Sequence, residues 1–298
     1  MEIRAGIIGL GVGEAHIKGY ESHANCRVTK VCDFNQNIRH IKKNSIGNIE
    51  FTTNPDEILK DPKIDVVSIA SYDNYHFDQI MLAIKNNKHI FIEKPLCLFE
   101  NEAFEIYEAL DQKPNLKMSS NLILRQSERF IDLKKRTNKK EFGELYYVKG
   151  SYNYGRISKI TNGWRGKIPF YSITYGGGVH IIDLILWIFD KKITEVYSMG
   201  NNISSKNTQF KFQDLVTSVL KFENGANGQI TSNYSCVYPH FHEFDLYGTN
   251  ATFVNNYESA KIFKKRDSDE FEKIKTKYPG VHKGDLLEDF IDSIIKNR

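Results

Sequence analysis

Residues 2–18 read EIRAGIIGLGVGEAHIK, and this stretch decides the fold. A short apolar run with β-branched residues, 3–8, is followed directly by Gly9, Gly11 and Gly13 and then by a segment of helical character. A strand, a glycine turn and a helix in this order are typical of a parallel α/β sheet. The turn leaves backbone N–H groups at a helix N-terminus, where the helix dipole favours an anion such as a dinucleotide pyrophosphate. Glycines are needed because a Cβ would block both the tight turn and the approach of the phosphates.

The glycine spacing departs from the dinucleotide fingerprint G-x-G-x-x-G, because Gly13 comes one residue early and Glu14 occupies the expected position. Taken alone, the loop is equally compatible with a plain β–α turn. A second strand at 27–33, RVTKVCD, ends in Asp33, about 20 residues past the glycines, where the fingerprint places its ribose ligand. An Asp at a strand end is often only a turn former. The combination of loop and carboxylate nevertheless favours a nucleotide site.

Composition excludes several classes of function. The chain has 298 residues, which is enough for two domains, and its 41 basic and 37 acidic residues give a net charge of +4. This balance predicts neither nucleic acid nor a membrane surface as a partner. The four cysteines are scattered without a C-x-x-C motif or clustered histidines, so we expect free thiols and no metal site. The absence of a long apolar run in the sequence leads us to expect a cytoplasmic protein.

The first part of the chain alternates strands and helices, which predicts a parallel, doubly wound sheet of the dinucleotide-binding type over residues 1–120. The expected strands beyond Asp33 lie at 51–53, 64–70 and 89–92, and the expected helices lie at 35–44, 55–59 and 76–86. The last of these strands leads into Glu93-Lys94-Pro95. A lysine at the carboxyl end of a parallel strand faces the crevice where such sheets bind ligands, although a surface turn is the simpler interpretation of three such residues.

Beyond residue 121 the pattern changes to a run of strands after one helix, which indicates an α+β domain with a mainly antiparallel open sheet over residues 121–298. The helix is expected at 127–136, the strands at 144–154, 196–201, 215–222, 226–235 and 243–248, and an amphipathic C-terminal helix at about 283–296. Residues 175–184, YGGGVHIIDL, open a further helix. His180 and Asp183 are three residues apart, so they share one helix face and can meet the same ligand.

Residues 64–110 resemble the glucose–fructose oxidoreductase/inositol dehydrogenase/rhizopine-catabolism (Gfo/Idh/MocA) family of NAD(P)-dependent oxidoreductases. The resemblance rests on the glycine loop followed by His16, the strand ending at Asp33, the loop leading to His76, and the Glu93-Lys94-Pro95 segment. The order and spacing of these four features make the match specific.

The sequence departs from the family pattern in three places, which together comprise four residues. Tyr72-Asp73 replaces a Thr-Pro pair, and Asn87 stands where glycine is common, a mild change because Asn tolerates a left-handed turn. The family's substrate helix begins with a glycine run and carries H-x-x-D, as here, and its fuller form has an Asp four residues before the His. That position is Gly176, so one expected substrate or acid/base group is missing.

The resemblance implies hydride transfer between a nicotinamide and a secondary alcohol or ketone of a sugar, sugar nucleotide or cyclitol. It makes His180 the general acid/base, Lys94 the group that stabilises the alkoxide, and Asp183 a group that orients His180 or binds a hydroxyl. Further expected substrate-binding residues are Arg125, Trp164, Arg165, Tyr171 and Tyr175. The expected cofactor-binding residues are Gly9, Leu10, Gly11, Val12, Gly13, Asp33, Ser71, Tyr72, His76, Glu93 and Lys94.

We expect Asp33 to select NAD over NADP, because its carboxylate would accept hydrogen bonds from the ribose and repel a 2′-phosphate; Arg39 could weaken that preference. Two other functions stay open. One is a reductase of the same superfamily acting on a dihydrodiol or bilin-like substrate, with a pocket served by Tyr rather than by His180. The other is a catalytically silent dinucleotide-binding sensor, which the missing Asp at Gly176 favours.

An antiparallel sheet with one uncovered face needs a partner. We therefore expect a homodimer or homotetramer that forms sheet to sheet through Tyr146, Val148, Tyr152 and Tyr154.

Overall fold

A computed structural model describes residues 2–297 of the chain. The chain divides into two compact units, residues 2–123 together with 281–297, and residues 124–280. The predicted fold class is confirmed, since the first unit contains a six-stranded parallel sheet and the second a mainly antiparallel one. No helix within residues 2–297 has the length and apolar character needed to cross a membrane.

The first unit has the strand order β3-β2-β1-β4-β5-β6, which is the Rossmann order. The order reverses between β1 and β4, where such sheets bind their ligands. The strands are β1 Ile3–Ile8, β2 Cys26–Cys32, β3 Glu50–Thr52, β4 Val66–Ile69, β5 His89–Ile92 and β6 Met118–Ser120. The helices are α1 Glu14–Glu21, α2 Ile38–Ile41, α3 Lys43–Ile46, α4 Asp56–Leu59, α5 His76–Lys85 and α6 Glu100–Asp111.

The C-terminal helix, Leu286–Ile295, belongs to the first unit, so its assignment to the second domain is wrong. Its apolar face, which includes Leu287 and Phe290, is buried in the same cluster as Ile17 of α1 and Phe91 of β5. An amphipathic pattern shows that one helix face is buried, but it does not say against which partner.

The second unit has an eight-stranded sheet in the order β14-β13-β12-β11-β7-β10-β9-β8, in which only the β7–β10 pair is parallel. The strands are β7 Leu145–Asn153, β8 Ile193–Asn201, β9 Leu215–Phe222, β10 Asn227–Asn233, β11 Phe241–Gly248, β12 Thr252–Asn255, β13 Ala260–Phe263 and β14 Glu272–Ile274. The helices are α7 Glu128–Asn138, α8 Ser158–Thr161 and α9 Val179–Phe189.

Helix α9 packs on β7, and Gly150 allows this approach, because a Cβ at that position would lie 2.3 Å from Cγ2 of Ile181. This packing contradicts the prediction that this face of β7 is uncovered and contacts a partner chain. Val148 and Tyr152 are buried in the core, whereas Tyr146 is exposed. The alternation of apolar residues along β7 was identified correctly. The face that they form is covered by helix α9 and not by a partner chain.

The opposite face carries exposed apolar side chains on the edge strand β8 and on its neighbour β9. Tyr197 pairs with Val219 across β8 and β9, and Met199 lies two residues further along β8. All three are more than half exposed. This open face replaces the predicted one as the candidate for self-association.

Candidate active site

The three loop glycines have three different surroundings. Gly9 has a φ of +88°, and a Cβ there would lie 2.3 Å from the Ala70 carbonyl oxygen. A Cβ on Gly13 would lie 2.3 Å from the carbonyl oxygen of Gly9, whereas a Cβ on Gly11 would meet no atom within 4 Å. The loop therefore provides a tight turn, an open approach and close helix packing, which are the three roles of the fingerprint glycines. The third role is filled one residue early, by Gly13.

Glu14, which stands where the fingerprint expects glycine, forms hydrogen bonds with two side chains of the same unit. Its carboxylate accepts hydrogen bonds from Lys42 and from Ser45 Oγ, the latter at 2.6 Å. The bond from Lys42 is the largest effect that lowers the pKa of Glu14. The irregular spacing is thus compatible with a dinucleotide cradle.

Asp33 is buried at the end of β2. Its Oδ2 accepts the Leu10 N–H at 2.9 Å, and its Oδ1 accepts the Asn35 N–H at 3.0 Å. The carboxylate therefore joins the end of β2 to the glycine loop. Each oxygen has a second acceptor position, so these bonds are compatible with a ribose hydroxyl as a further partner. Arg39 is exposed on α2.

His76 is fully buried at the start of α5 and connects two loops. Its Nδ1 lies 2.7 Å from the Pro95 carbonyl oxygen, and its Nε2 lies 3.2 Å from the Ser71 carbonyl oxygen. It thus joins the loop after β4 to the loop after β5. In the first of these loops, the ring of Tyr72 packs edge to face on exposed Phe34, with 5.7 Å between centroids.

A buried hydrogen-bond network surrounds Glu93, which follows β5. Glu93 Oε1 lies 3.3 Å from His16 Nε2 and accepts a hydrogen bond from Asn121 Nδ2 at 2.7 Å. His16 Nδ1 lies 2.7 Å from Ser68 Oγ, and the Asn121 amide also donates to the Lys283 carbonyl oxygen at 2.8 Å. These partners fit a His16 ring that donates from Nε2 to the carboxylate. The network joins β4, β5, α1 and the segment before the C-terminal helix.

The network keeps Glu93 ionised. Burial acts to raise its pKa, but the hydrogen bond and charge of His16, the neighbouring Lys94 cation and the Asn121 amide together lower it to about 2. Glu93 is therefore a fixed anion directly before Lys94 at the carboxyl end of a parallel strand. This placement positions the lysine-bearing segment.

In the second unit, residues Thr174–Gly178 form a π-helical turn that leads into α9. His180 is buried in the first turn of α9, and its ring stacks on Tyr152 with 6.2 Å between centroids. Asp183 is held by Arg125, whose Nε and Nη2 donate to its two oxygens at 2.7 to 3.1 Å. The described contacts thus pair Asp183 with an arginine and His180 with an aromatic ring.

A cluster of rings around His180 was not predicted from the sequence. Its members are Tyr152, Tyr154, Tyr234, His240 and His242, with centroids 4.7 to 5.7 Å apart in the contacts among them and 5.8 Å between His180 and His242. Burial raises the pKa of Tyr234, and burial together with His180 and His240 lowers the pKa of His242 well below its usual range. The cluster forms where β7 and β10 end side by side, a pairing that local sequence does not reveal.

Three of the predicted substrate residues lie together. Arg165 Nε donates to the Tyr171 hydroxyl at 3.0 Å, and Trp164 packs edge to face on the Tyr171 ring with 6.1 Å between centroids. Tyr175 is exposed and its ring contacts Phe170. Tyr171 also reaches the ring cluster, since its hydroxyl lies 3.2 Å from that of Tyr234.

The comparison with protein families defines the class of this protein. The model of the Gfo/Idh/MocA oxidoreductase family, with an NAD-binding Rossmann fold, matches residues 3–121. The model of the Gfo/Idh/MocA C-terminal domain matches residues 130–254. The chain belongs to the Gfo/Idh/MocA family, as its sequence predicts. It is an NAD-dependent oxidoreductase whose first unit is the cofactor-binding domain.

Individual relatives share this architecture at low identity. The chain is 23% identical to a myo-inositol 2-dehydrogenase of Thermotoga maritima over 270 residues, which cover 87% of this chain and 77% of the relative. It is 25% identical to a scyllo-inositol 2-dehydrogenase (NAD(+)) of Bacillus subtilis over 260 residues, or 84% and 73% of the two chains.

Solved structures show the same fold. A levoglucosan dehydrogenase in complex with NADH and levoglucosan superposes with a TM-score of 0.85 at 21% identity, covering 99% of this chain and 90% of the other. A myo-inositol 2-dehydrogenase from Lactobacillus plantarum gives a TM-score of 0.86 at 20% identity, with 100% and 91% coverage.

Proposed function

We propose that the protein transfers a hydride between NAD and a secondary alcohol or ketone, CH–OH or C=O, of a sugar, sugar nucleotide or cyclitol. The observation that carries this proposal is the set of residues at the carboxyl edge of the parallel sheet. There the open Gly11 position lies in a tight glycine turn, and Lys94 follows the buried anion Glu93. Relatives named inositol dehydrogenases support the substrate class.

The expected cofactor-binding residues fit NAD. The backbone from Gly9 to Gly13 would hold the pyrophosphate and Asp33 the adenosine ribose, while Ser71, Tyr72 and His76 belong to or brace the loop after β4. NAD supplies the hydride acceptor or donor when it is bound.

We assign the proton chemistry to two side chains. When a hydride leaves a carbinol carbon, the hydroxyl proton must pass to a base, and the His180 imidazole is suited to accept it near neutral pH. To the Lys94 ammonium we assign the stabilisation of the developing alkoxide. Glu93 and His76 act as positioning residues, because each holds the segment that carries Lys94 through buried hydrogen bonds.

The test combines binding with turnover. NADH should raise the melting temperature, because a ligand that binds only the native state stabilises it, and a substrate from a panel of sugars, cyclitols and nucleotide sugars should raise it further. Lys94→Ala and His180→Ala should each lower kcat by orders of magnitude while the Kd for NADH stays near the wild-type value. A variant with wild-type turnover would remove that residue from the mechanism.

The four tyrosines near His180 support one second candidate, a reductase of a dihydrodiol or bilin-like substrate that takes its proton from a phenol. Tyr171→Phe separates the two, since it should abolish turnover in the reductase and leave substantial turnover if His180 is the acid/base. A catalytically silent sensor would bind NADH without turnover on any member of the panel.

We also propose that the protein is a homodimer or homotetramer formed through the open face of the second sheet. Tyr197, Met199 and Val219 form an exposed apolar group on that face. Light scattering should give a multiple of the monomer mass of 34.5 kDa, and Tyr197→Glu should lower it. A monomeric wild-type mass would contradict this proposal.

A further inference from the structure

We propose that the substrate carries an anionic group, a carboxylate or a phosphate, which binds to Arg165. The inference rests on the proposed function and deepens it, because it names the chemical class of the sugar. It follows from the state of one arginine and from the chain of tyrosine contacts that connects it to His180.

Arg165 is held in a fixed position without an anionic partner. Its Nε donates to the Tyr171 hydroxyl at 3.0 Å, and its guanidinium carbon lies 4.6 Å from the centroid of the Trp164 ring. Within residues 2–297, no Asp or Glu forms an ion pair with Arg165, and its two Nη atoms donate to no protein acceptor. The side chain is only partly accessible to water. A partly desolvated cation of this kind is stabilised by an anion that a ligand supplies.

Three arginines elsewhere in the second unit are held by close acceptors, whereas the exposed Arg156 stacks on Tyr154 and the exposed Arg266 reaches only the Thr249 carbonyl oxygen, at 3.5 Å. Arg125 binds the Asp183 carboxylate through two nitrogens, and Arg136 binds Glu272 in the same way. Arg129 donates to Asn255 and to the Thr276 carbonyl oxygen. Arg165 therefore stands out from these three paired or hydrogen-bonded arginines.

The position of Arg165 connects it to the substrate helix. A Cβ added to Gly176 would lie 2.0 Å from the Tyr171 hydroxyl, so the phenol bound to Arg165 fills the space of a side chain at residue 176. Gly176 lies four residues before His180. Where the resemblance leads us to expect a carboxylate, the chain has a phenol and a guanidinium.

A second route leads from Arg165 to His180 through stacked rings. The Tyr171 hydroxyl lies 3.2 Å from that of Tyr234, the Tyr234 and Tyr152 rings are 5.7 Å apart, and Tyr152 stacks on His180. The nearby Asp183 is already neutralised by Arg125. The rings thus connect His180 to a cation, Arg165, while the carboxylate three residues along the helix, Asp183, is already paired.

The chemistry of the guanidinium fits an oxyanion. Its planar fork offers parallel N–H donors that match two oxygens of a carboxylate or phosphate, and a stacked guanidinium loses little freedom when it binds. A neutral cyclitol provides no such partner. The structure therefore points to sugar acids or sugar phosphates in place of neutral polyols.

The test compares charged and neutral probes. With NADH present, glucuronate and glucose 6-phosphate are titrated against the wild-type protein by calorimetry and thermal shift, and glucose and myo-inositol serve as neutral counterparts. At least one anionic probe should bind about tenfold or more tightly than glucose, because a charge-assisted hydrogen bond is stronger than a neutral one. The probe that binds identifies carboxylate or phosphate as the source of the charge.

Two variants test whether Arg165 binds the anionic group of the probe. Arg165→Gln should weaken binding of the anionic probe about tenfold or more and weaken glucose binding by a clearly smaller factor, and Arg165→Lys should restore part of the loss for the anionic probe. Lys167→Gln is the matched control, because it removes the same charge from an exposed site two residues away. It should change neither the affinity for the anionic probe nor the affinity for glucose.

Three outcomes would overturn the inference. Neutral probes could bind more tightly than anionic ones, Arg165→Gln could weaken binding of anionic and neutral probes equally, or no probe could bind. Hydride transfer is measured separately on the same samples. Oxidation of neutral polyols alone would retain the proposed function and reject the anionic substrate. Binding of an anionic probe through Arg165 without turnover would support the inference and reject the dehydrogenase.

Discussion

The network around Glu93 makes a quantitative prediction for Asn121→Ala. The Asn121 amide is buried and donates to the Glu93 carboxylate at 2.7 Å and to the Lys283 carbonyl oxygen at 2.8 Å. A hydrogen bond to a charged group contributes about 1.5–3 kcal/mol and a neutral one about 0.5–1.5 kcal/mol. Loss of both should therefore lower the unfolding free energy of the first unit by about 2–4.5 kcal/mol.

The assay must report on the first unit alone, because two units need not unfold together. Hydrogen exchange of the β5 amides at increasing urea gives this free energy. Ser120→Ala is the matched control. Ser120 directly precedes Asn121 and its side chain has no hydrogen bond among residues 2–297, so the unfolding free energy should change by no more than about 0.5 kcal/mol. Turnover should fall in Asn121→Ala only, because Glu93 positions Lys94. Equal exchange free energies for the two variants would show that the network does not stabilise this unit.

Three further predictions follow from the first unit. Gly11→Ala should weaken NADH binding with little change in melting temperature, because its Cβ meets no protein atom, whereas Gly13→Ala should lower the melting temperature, because its Cβ would lie 2.3 Å from a carbonyl oxygen. Asp33→Ser should reduce the preference for NADH over NADPH in cofactor titrations, and tighter NADPH than NADH binding by the wild type would contradict the role of Asp33. Since the pKa of Glu93 falls from 4.5 to about 2 on folding, its contribution to stability is complete above pH 4.5 and is lost as the pH falls toward 2. The Glu93→Gln variant should lack this part of the loss of unfolding free energy when the pH is lowered. A pH dependence parallel to that of the wild type would contradict the prediction.

The first unit was predictable because its signals are local. A glycine turn, buried strands and helical periodicity each occupy one short stretch, and a parallel sheet repeats them in order. Even the left-handed residue at the end of α5 follows from sequence, since Asn87 stands at a common glycine position and has a φ of +57°. The glycine spacing shows the limit, because the roles of Gly9, Gly11 and Gly13 became distinguishable only from their neighbours in space.

The second unit depends on contacts between distant segments. Strands β12 to β14 are short and carry many polar residues, so they gave no alternating pattern. The rings that surround His180 come from the ends of β7 and β10 and from the start of β11. The parallel pairing of β7 with β10, with Asn153 opposite Asn233, and the pairing of β7 with β11 cannot be read from any one strand alone. Helix α9 covers β7 through a contact between Ile181 and Gly150, which lie far apart in sequence, and this explains why Val148 and Tyr152 were wrongly expected on a free surface.

The position of the C-terminal helix affects how the chain is made. The dinucleotide-binding unit needs Leu287 and Phe290 to cover Ile17 and Phe91, yet the ribosome must first synthesise all of residues 124–280. During that interval the nascent first unit exposes an apolar patch on α1 and β5. The second unit has no such requirement, because residues 124–280 are continuous. The order of synthesis therefore differs from the order of completion: the unit that begins to emerge first is closed last, and its uncovered patch is a natural site for a chaperone until the helix arrives.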